Sequence, residues 1–292
     1  MEQALLDSSD YELIKSLSLR ARKRVAGFSS GEQRSPASGG GIEFADYREY
    51  VGGDDIRRID WSVYLRFRKL LVKLCAEEKE LTLMILVDAS GSMSYGGPEK
   101  ATMAKRIACV LAGIASQGGN RYGIAACGTE LRELLRPGLT RLPLSSMVRE
   151  VSRMPVGGGS SPSGGMRQFA SRYGRRCLAV FISDLLYPDW PQTLAGLAAS
   201  GCEAHAVQVL SPDEIDPPQR GELTLVDMED DSEVPLHADA PTLARYREEM
   251  RALMAQQREQ CAVLGIDYSQ VLCDANLARV FRQDLRSGGL VC

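Results

Sequence analysis

The sequence predicts an α/β fold with a mostly parallel central sheet and helices on both faces. Three observations carry this expectation. Residues 81–87 (LTLMILV), closed by Asp88, form a nearly continuous apolar run rich in branched side chains, as a strand covered on both faces requires. Residues 177–183 (CLAVFIS), closed by Asp184, and residues 204–210 (AHAVQVL) are runs of the same kind. Between the runs lie segments with helical periodicity, long enough for the crossovers that parallel strands need.

Along the chain, residues 10–24 read as a short helix with Leu13, Ile14 and Leu17 on one face. A Gly-, Ser- and Pro-rich loop follows over 27–41. Gly52 and Gly53 make a turn, and Asp54 or Asp55 caps a helix carrying Ile56, Ile59, Val63 and Phe67, ahead of a strand over 70–74. Asp54, Asp55, Arg57 and Asp60 are too dense in charge for a core and read as an ion-paired, capped turn. Trp61 and Tyr64 read as packing residues.

After the first buried strand and a loop over 89–97, Pro98 opens a helix to about Ser116, with Met103, Ile107, Val110, Leu111 and Ile114 facing inward. Strands at 122–126 and 131–135 flank Gly128. A helix over 145–153, a loop over 157–165 and a helix to Tyr173 come next. Residues 191–200 are helical, and 223–228 add one more strand. Over 242–263, Leu243, Tyr246, Met250, Leu253, Met254 and Cys261 form one helical stripe, read as packing on the same core. The domain reading is an N-terminal extension over 1–78, an α/β domain over 79–235 and a C-terminal helical region over 236–292.

Composition narrows the function. The chain has 292 residues, 44% of them hydrophobic, and 35 basic against 38 acidic side chains give a net charge of −3. A nucleic-acid partner is not expected without a marked basic excess. The clusters Arg20, Arg22, Lys23, Arg24 and Arg66, Arg68, Lys69, Lys73 read as solvated faces or local ion pairs. The 8 cysteines include no C-x-x-C pair and read as buried free thiols. Only His205 and His237 are present, which disfavours a zinc site, and His205 reads as a satisfied core histidine. Residues 1–17 mix charges among apolar residues, unlike a signal peptide. No apolar run approaches the roughly 20 residues of a membrane span. The expected location is the cytoplasm, peripheral to a membrane only through a partner.

Two buried strands end in aspartate, Asp88 and Asp184, and both should lie at the carboxyl edge of the sheet, where open parallel sheets bind ligands. Asp88 is followed by Ser90 and Ser92, with Gly91 relaxing the loop. Carboxylates and hydroxyls without His or Cys are what Mg2+ requires, with Mn2+ or Ca2+ as alternatives. Two carboxylates offset the ion's charge, and neutral hydroxyls leave it free to take a partner's Asp or Glu.

Asp88-Ala-Ser90-Gly-Ser92 resembles the D-x-S-x-S motif of the metal-ion-dependent adhesion site in von Willebrand factor A domains. The resemblance implies a Rossmann-like fold in which Ser90 and Ser92 bind the metal and Asp88 acts directly or through water. Gly158-Gly159-Ser160 stands where the family has Gly-Gly-Thr, so Ser160 would supply a hydroxyl, with Ser161 as the alternative. Asp184 matches the aspartate of the third loop. Upstream, Gly39-Gly-Gly41-Ile-Glu43-Phe44 and Gly53-Asp54-Asp55-Ile-Arg57-Arg-Ile59-Asp60-Trp61 are similar to segments of the bacterial domain-of-unknown-function 58 proteins, and Val72-Lys73 to Glu77-Glu78 continues the likeness. That resemblance implies an N-terminal α+β extension before the von Willebrand-like domain, and a MoxR-type AAA+ ATPase, or its client, as partner. Catalysis is not expected: the chain lacks G-x-S-x-G and G-x-x-x-x-G-K-[ST] motifs, and no lysine or histidine stands beside Asp88 in the sequence. A metal-assisted hydrolase is the alternative, and a module with a vestigial site the third reading.

Overall fold

A computed structural model describes residues 5–20, 43–54, 56–76, 82–95, 99–138, 143–156, 161–173, 177–226 and 233–292. Helix α1 (Ser8–Ser16) begins in a capping box: Asp7 accepts from the Ser9 and Asp10 amides, and Asp10 accepts from the Asp7 amide. It ends at Ser16, well short of residue 24. Ser18 and Arg20 instead run extended, exchanging backbone hydrogen bonds with Cys292 and Leu290.

Contacts divide the chain into two units, residues 23–80 on one side and residues 1–22 with 81–292 on the other. In the smaller unit, β1 (Glu43–Glu49) pairs antiparallel with β2 (Leu71–Ala76). A 3-10 turn (Ile56–Arg58) leads into α2 (Trp61–Phe67). The cap of α2 is Asp60, and not Asp54 or Asp55. Its carboxylate accepts from the Ser62 and Val63 amides at 2.9 and 3.2 Å, and from the Tyr47 hydroxyl at 2.8 Å. Asp54 is spent on Arg48 at 2.8 Å and on the Val51 amide, while Asp55 lies outside the described residues. Trp61 meets the Tyr64 ring edge to face, 6.1 Å between centroids, but it stays 54% exposed, and α2 has no buried residue.

The larger unit continues through β3 (Thr82–Asp88), α3 (Glu99–Gln117), β4 (Arg121–Cys127), β5 (Leu131–Leu135), α4 (Leu144–Ser152), α5 (Ser163–Arg172), β6 (Cys177–Ser183), α6 (Trp190–Ala199), β7 (Glu203–Leu210) and α7 (Pro212–Ile215). A separate hairpin, β8 (Gly221–Val226) with β9 (Glu233–Ala238), precedes α8 (Ala240–Val263), β10 (Asp267–Leu272), α9 (Leu277–Arg279) and a π-helical turn (Val280–Leu285). The main sheet has the order β10-β7-β6-β3-β4-β5, parallel except for β5 at one edge. The strand expected near 223–228 therefore forms, but outside the main sheet. The sixth strand of that sheet is β10, which the sequence did not announce.

Alternate residues of β3 feed two cores. Leu83, Ile85 and Val87 belong to one core with residues of α1, α3, α4 and the C-terminal turns, while Met84 and Leu86 belong to another with residues of α5, α6 and Cys261 of α8. Both faces are covered, which gives a Rossmann-like α/β fold and explains why the strand reads as an unbroken apolar run. His205 is buried, with Nε2 3.0 Å from Ser269 Oγ. Cys109, Cys127, Cys177 and Cys261 are buried free thiols, but Cys292 is exposed. Burial pushes the thiols of Cys109 and Cys261 up to about 12. Among the described residues no helix is long and apolar enough to cross a membrane.

Candidate metal centre

The chain runs from β3 through α3 to β4 and β5 on one side, then returns to β6 on the other side of β3. The switch in winding direction therefore falls between β3 and β6, and the crevice beyond their carboxyl ends is the expected binding position. Asp88 ends β3, and Asp184 immediately follows β6; both are 0% exposed. The structure thus brings together four of the five residues singled out from the sequence: Asp88, Ser90, Ser92 and Asp184. Ser160 lies outside the described residues.

Asp88 is held by neutral donors. Oδ1 accepts from the Ser90 amide at 2.8 Å, and Oδ2 accepts from the Ser183 hydroxyl at 2.5 Å. Ser90 Oγ and Ser92 Oγ stand 3.0 Å apart, on a 3-10 turn (Gly91–Ser94) that curls the loop back over the strand end. Burial first, and the charge of Asp184 second, raise the Asp88 carboxyl to about 7, against the lowering effect of its hydrogen bonds. Beside it, the buried Tyr187 hydroxyl stands close to the hydroxyls of Ser183 and Thr193 without a hydrogen bond of good geometry to either.

Asp184 is held differently. Oδ1 accepts from the Leu186 amide at 3.0 Å, and Oδ2 accepts from the Lys100 ammonium at 2.8 Å. Lys100 is buried in the first turn of α3, and its Nζ also lies 2.5 Å from Glu214 Oε1. Burial alone would lower the lysine pKa, but Asp184 and Glu214 outweigh it and raise it above the usual value. Glu214 is the last member of a capping box on α7, where Oε2 accepts from the Ser211 amide at 2.7 Å. Burial raises the pKa of Glu214, and the lysine charge pulls it back only in part.

The loop after β6 is braced from α8 and β7. Leu185 is buried with φ of 57°, a left-handed conformation that costs a branched, non-glycine residue of order 1 kcal/mol or more. Gln257 of α8 donates to the Leu185 carbonyl at 2.7 Å, and Gln208 of β7 donates to the Asp184 carbonyl at 2.8 Å. Both glutamines are 0% exposed and bonded to each other. The strained turn is thus fixed by buried amides whose alternative is to go unpaired.

Ser161 is committed elsewhere: its hydroxyl bonds both carboxylate oxygens of Asp189 at 2.5 Å and accepts from the Ser163 amide. Helix α5 starts within the loop expected over 157–165, pressed so close to the β4–β5 turn that a Cβ on Gly164 would stand 2.1 Å from the Thr129 carbonyl oxygen. Lys100, Glu214, Gln208 and Gln257 were all missed from sequence. Lys100 left one signal, a cation at the positive end of a helix dipole, which needs a compensating acid. Glu214 left another, the S-x-x-E pattern directly after a buried strand. No lysine stands beside Asp88 in the sequence, but Lys100, twelve positions further on, folds back onto Asp184.

Comparison with known proteins places the chain. Its sequence is 32% identical over 228 residues to the uncharacterized protein Rv1480 of Mycobacterium tuberculosis, covering 74% of this chain and 70% of that one. Among solved structures, a von Willebrand factor type A protein from Catenulispora acidiphila is similar at a TM-score of 0.43 and 13% identity, over 75% of this chain and 43% of that one. The conserved hypothetical protein BatB from Bacteroides thetaiotaomicron is similar at 0.41 and 11%, over 71% and 98%. The family model described as protein of unknown function DUF58 matches residues 46–260, and the chain belongs to that family.

Proposed function

We propose that the chain is a metal-dependent protein-binding adaptor. Asp88, Ser90 and Ser92 would hold a divalent cation, Mg2+ in the first place, and an acidic side chain of a partner would complete its shell. One observation carries this reading: two hydroxyl oxygens 3.0 Å apart, beside a buried carboxylate that no cation neutralises among the described residues. Neighbouring corners of an octahedron with bonds near 2.1 Å are separated by about 3.0 Å. The all-oxygen donor set suits Mg2+, Mn2+ or Ca2+ and not zinc.

The ion would supply a positive charge with a free coordination position. The chain's own residues would do the rest. Ser183 orients Asp88, Lys100 holds Asp184 in place, and the glutamine pair fixes the turn between them. Asp184 uses two of its roughly four lone-pair sites on Leu186 and Lys100, so it retains capacity for a direct or water-mediated contact. Ser160 would complete the set from its own loop. As partner we propose a MoxR-type AAA+ ATPase or its client, in the cytoplasm. Capture of that ATPase by the full chain is expected to be lost with EDTA and with Asp88→Ala, at unchanged secondary structure. Capture indifferent to both would end this reading.

Lys100 favours a second reading, a metal-assisted hydrolase of phosphatase type, since it places a cation among the carboxylates where phosphoryl chemistry uses one. Turnover of a generic phosphatase substrate with Mg2+ or Mn2+, abolished by Asp88→Asn, would replace the adaptor with the enzyme.

A further inference from the structure

We infer that the unit formed by residues 23–80 carries a docking face for an anionic membrane surface. The inference does not depend on the metal centre. Val51, Ile56, Trp61, Leu65, Phe67 and Leu70 are all exposed large apolar residues within one short stretch, Leu65 and Phe67 at 71% and 68%. Six such residues in succession exceed the scattered apolar exposure of an ordinary surface. Helix α2, which carries three of them, buries none of its residues. Trp61 and Leu65, four positions apart, share one side of it, while Phe67 projects from another.

Charge selects the occupant. Asp54 and Asp55 precede Ile56, and the whole unit over 23–80 carries 11 basic against 10 acidic residues, but the stretch from residue 56 to residue 76 holds six cations, Arg57, Arg58, Arg66, Arg68, Lys69 and Lys73, against a single acid, Asp60. That acid is buried and spent on capping α2 and on Tyr47. The rest of the chain is net acidic, so this segment concentrates positive charge that the whole does not have. Arg57, Arg66, Arg68 and Lys69 are exposed between the apolar side chains. Tryptophan, leucine and phenylalanine interleaved with arginine and lysine is the composition that settles at the headgroup level of a bilayer. Apolar side chains spread around a short helix fit a fluid interface better than a protein pocket, which demands a single complementary face. Anionic lipids attract such a segment by about 1 kcal/mol per basic residue near the surface.

The chain contains a built-in reporter. Trp61 is exposed and Trp190 is buried, so a change in tryptophan emission on binding reports the face itself. The full chain is mixed with vesicles of phosphatidylcholine and phosphatidylglycerol, and separately with phosphatidylcholine alone. Co-sedimentation and a blue shift are expected with the anionic vesicles only, weakening as salt is raised. The combined variant Arg66→Gln, Arg68→Gln, Lys69→Gln is expected to weaken binding by roughly a hundredfold. Leu65→Ser with Phe67→Ser is expected to abolish the blue shift while leaving the melting temperature unchanged. Equal binding to neutral vesicles, or no binding to either, would overturn the inference. So would undiminished binding by both variants. A fall of several degrees in the melting temperature of the serine variant would assign the face to the chain's own packing. Loss of binding to an acidic protein partner, with vesicle binding absent in the parent chain, would assign it to a protein.

Discussion

Asp88 and Asp184 stand at the ends of neighbouring parallel strands, equally buried, and the charge of Asp184 helps raise the Asp88 carboxyl, yet the fold treats them oppositely. Asp184 receives a lysine ammonium, itself clamped by Glu214. Asp88 receives only an amide and hydroxyls, and its carboxyl rises to about 7. Burial is the same; the counter-charge is not. A buried carboxylate without a cation is costly unless something arrives to neutralise it, which is the physical content of a binding site. On the proposed reading, the fold completes one half of the crevice internally and leaves the other to a ligand.

The comparison breaks first at Lys100. Lys100→Met would leave Asp184 and Glu214 buried with no counter-charge, and is expected to lower the unfolding free energy by about 3–5 kcal/mol, read as a shift of the urea midpoint. A shift near zero would mean that the ion pair is not what holds Asp184.

Next comes the pH dependence of Asp88 in EDTA. Its folded pKa, about 7, lies above the ordinary value of 3.8, so the folded state keeps a proton that the unfolded chain has released. Stability is therefore expected to fall as pH rises from about 4 to about 7, by on the order of 3 kcal/mol. Asp88→Asn should remove this component and melt above the parent protein near pH 8. If the parent and variant titrate in parallel, Asp88 is already compensated.

A smaller effect tests the brace between the two halves. Gln257→Leu would strip the Leu185 carbonyl of its partner and leave Gln208 half-satisfied, at a cost of about 1–3 kcal/mol. Amide exchange in the loop after β6 should accelerate more than in β3. The smallest stability effect is expected for Ser92→Ala, within about 0.5 kcal/mol, because Ser92 is half-exposed and bonded only to Ser90 among the contacts found. Its Mg2+ affinity should nevertheless fall by roughly tenfold or more, a split that a merely structural serine would not produce.

Much of this arrangement was legible in the sequence, for reasons the contrast makes clear. Strands buried on both faces write unbroken apolar runs, so β3, β6 and β7 and the aspartates that follow them could be read directly. Strand β10 could not, because at the edge of the sheet its Asp267, Tyr268 and Gln270 are only partly buried and its buried Ser269 is polar, which leaves no apolar run. The cap of α2 was misplaced because three aspartates crowd one turn, and only the pairing of β1 with β2 brings Tyr47 onto Asp60. The charge balance of the site was the least readable part. Lys100, Asp184 and Glu214 are separated by 84 and 114 positions and meet only once the sheet is assembled. A motif shows ligands; it does not show which of them the fold has already satisfied.

The most direct test of a cation at Asp88 is calorimetric titration of the full chain with Mg2+ near neutral pH, alongside Asp88→Asn. The account predicts one bound ion per chain, with proton release from the parent protein and no binding by the variant. Absence of heat in the parent, or equal binding by both, would contradict it.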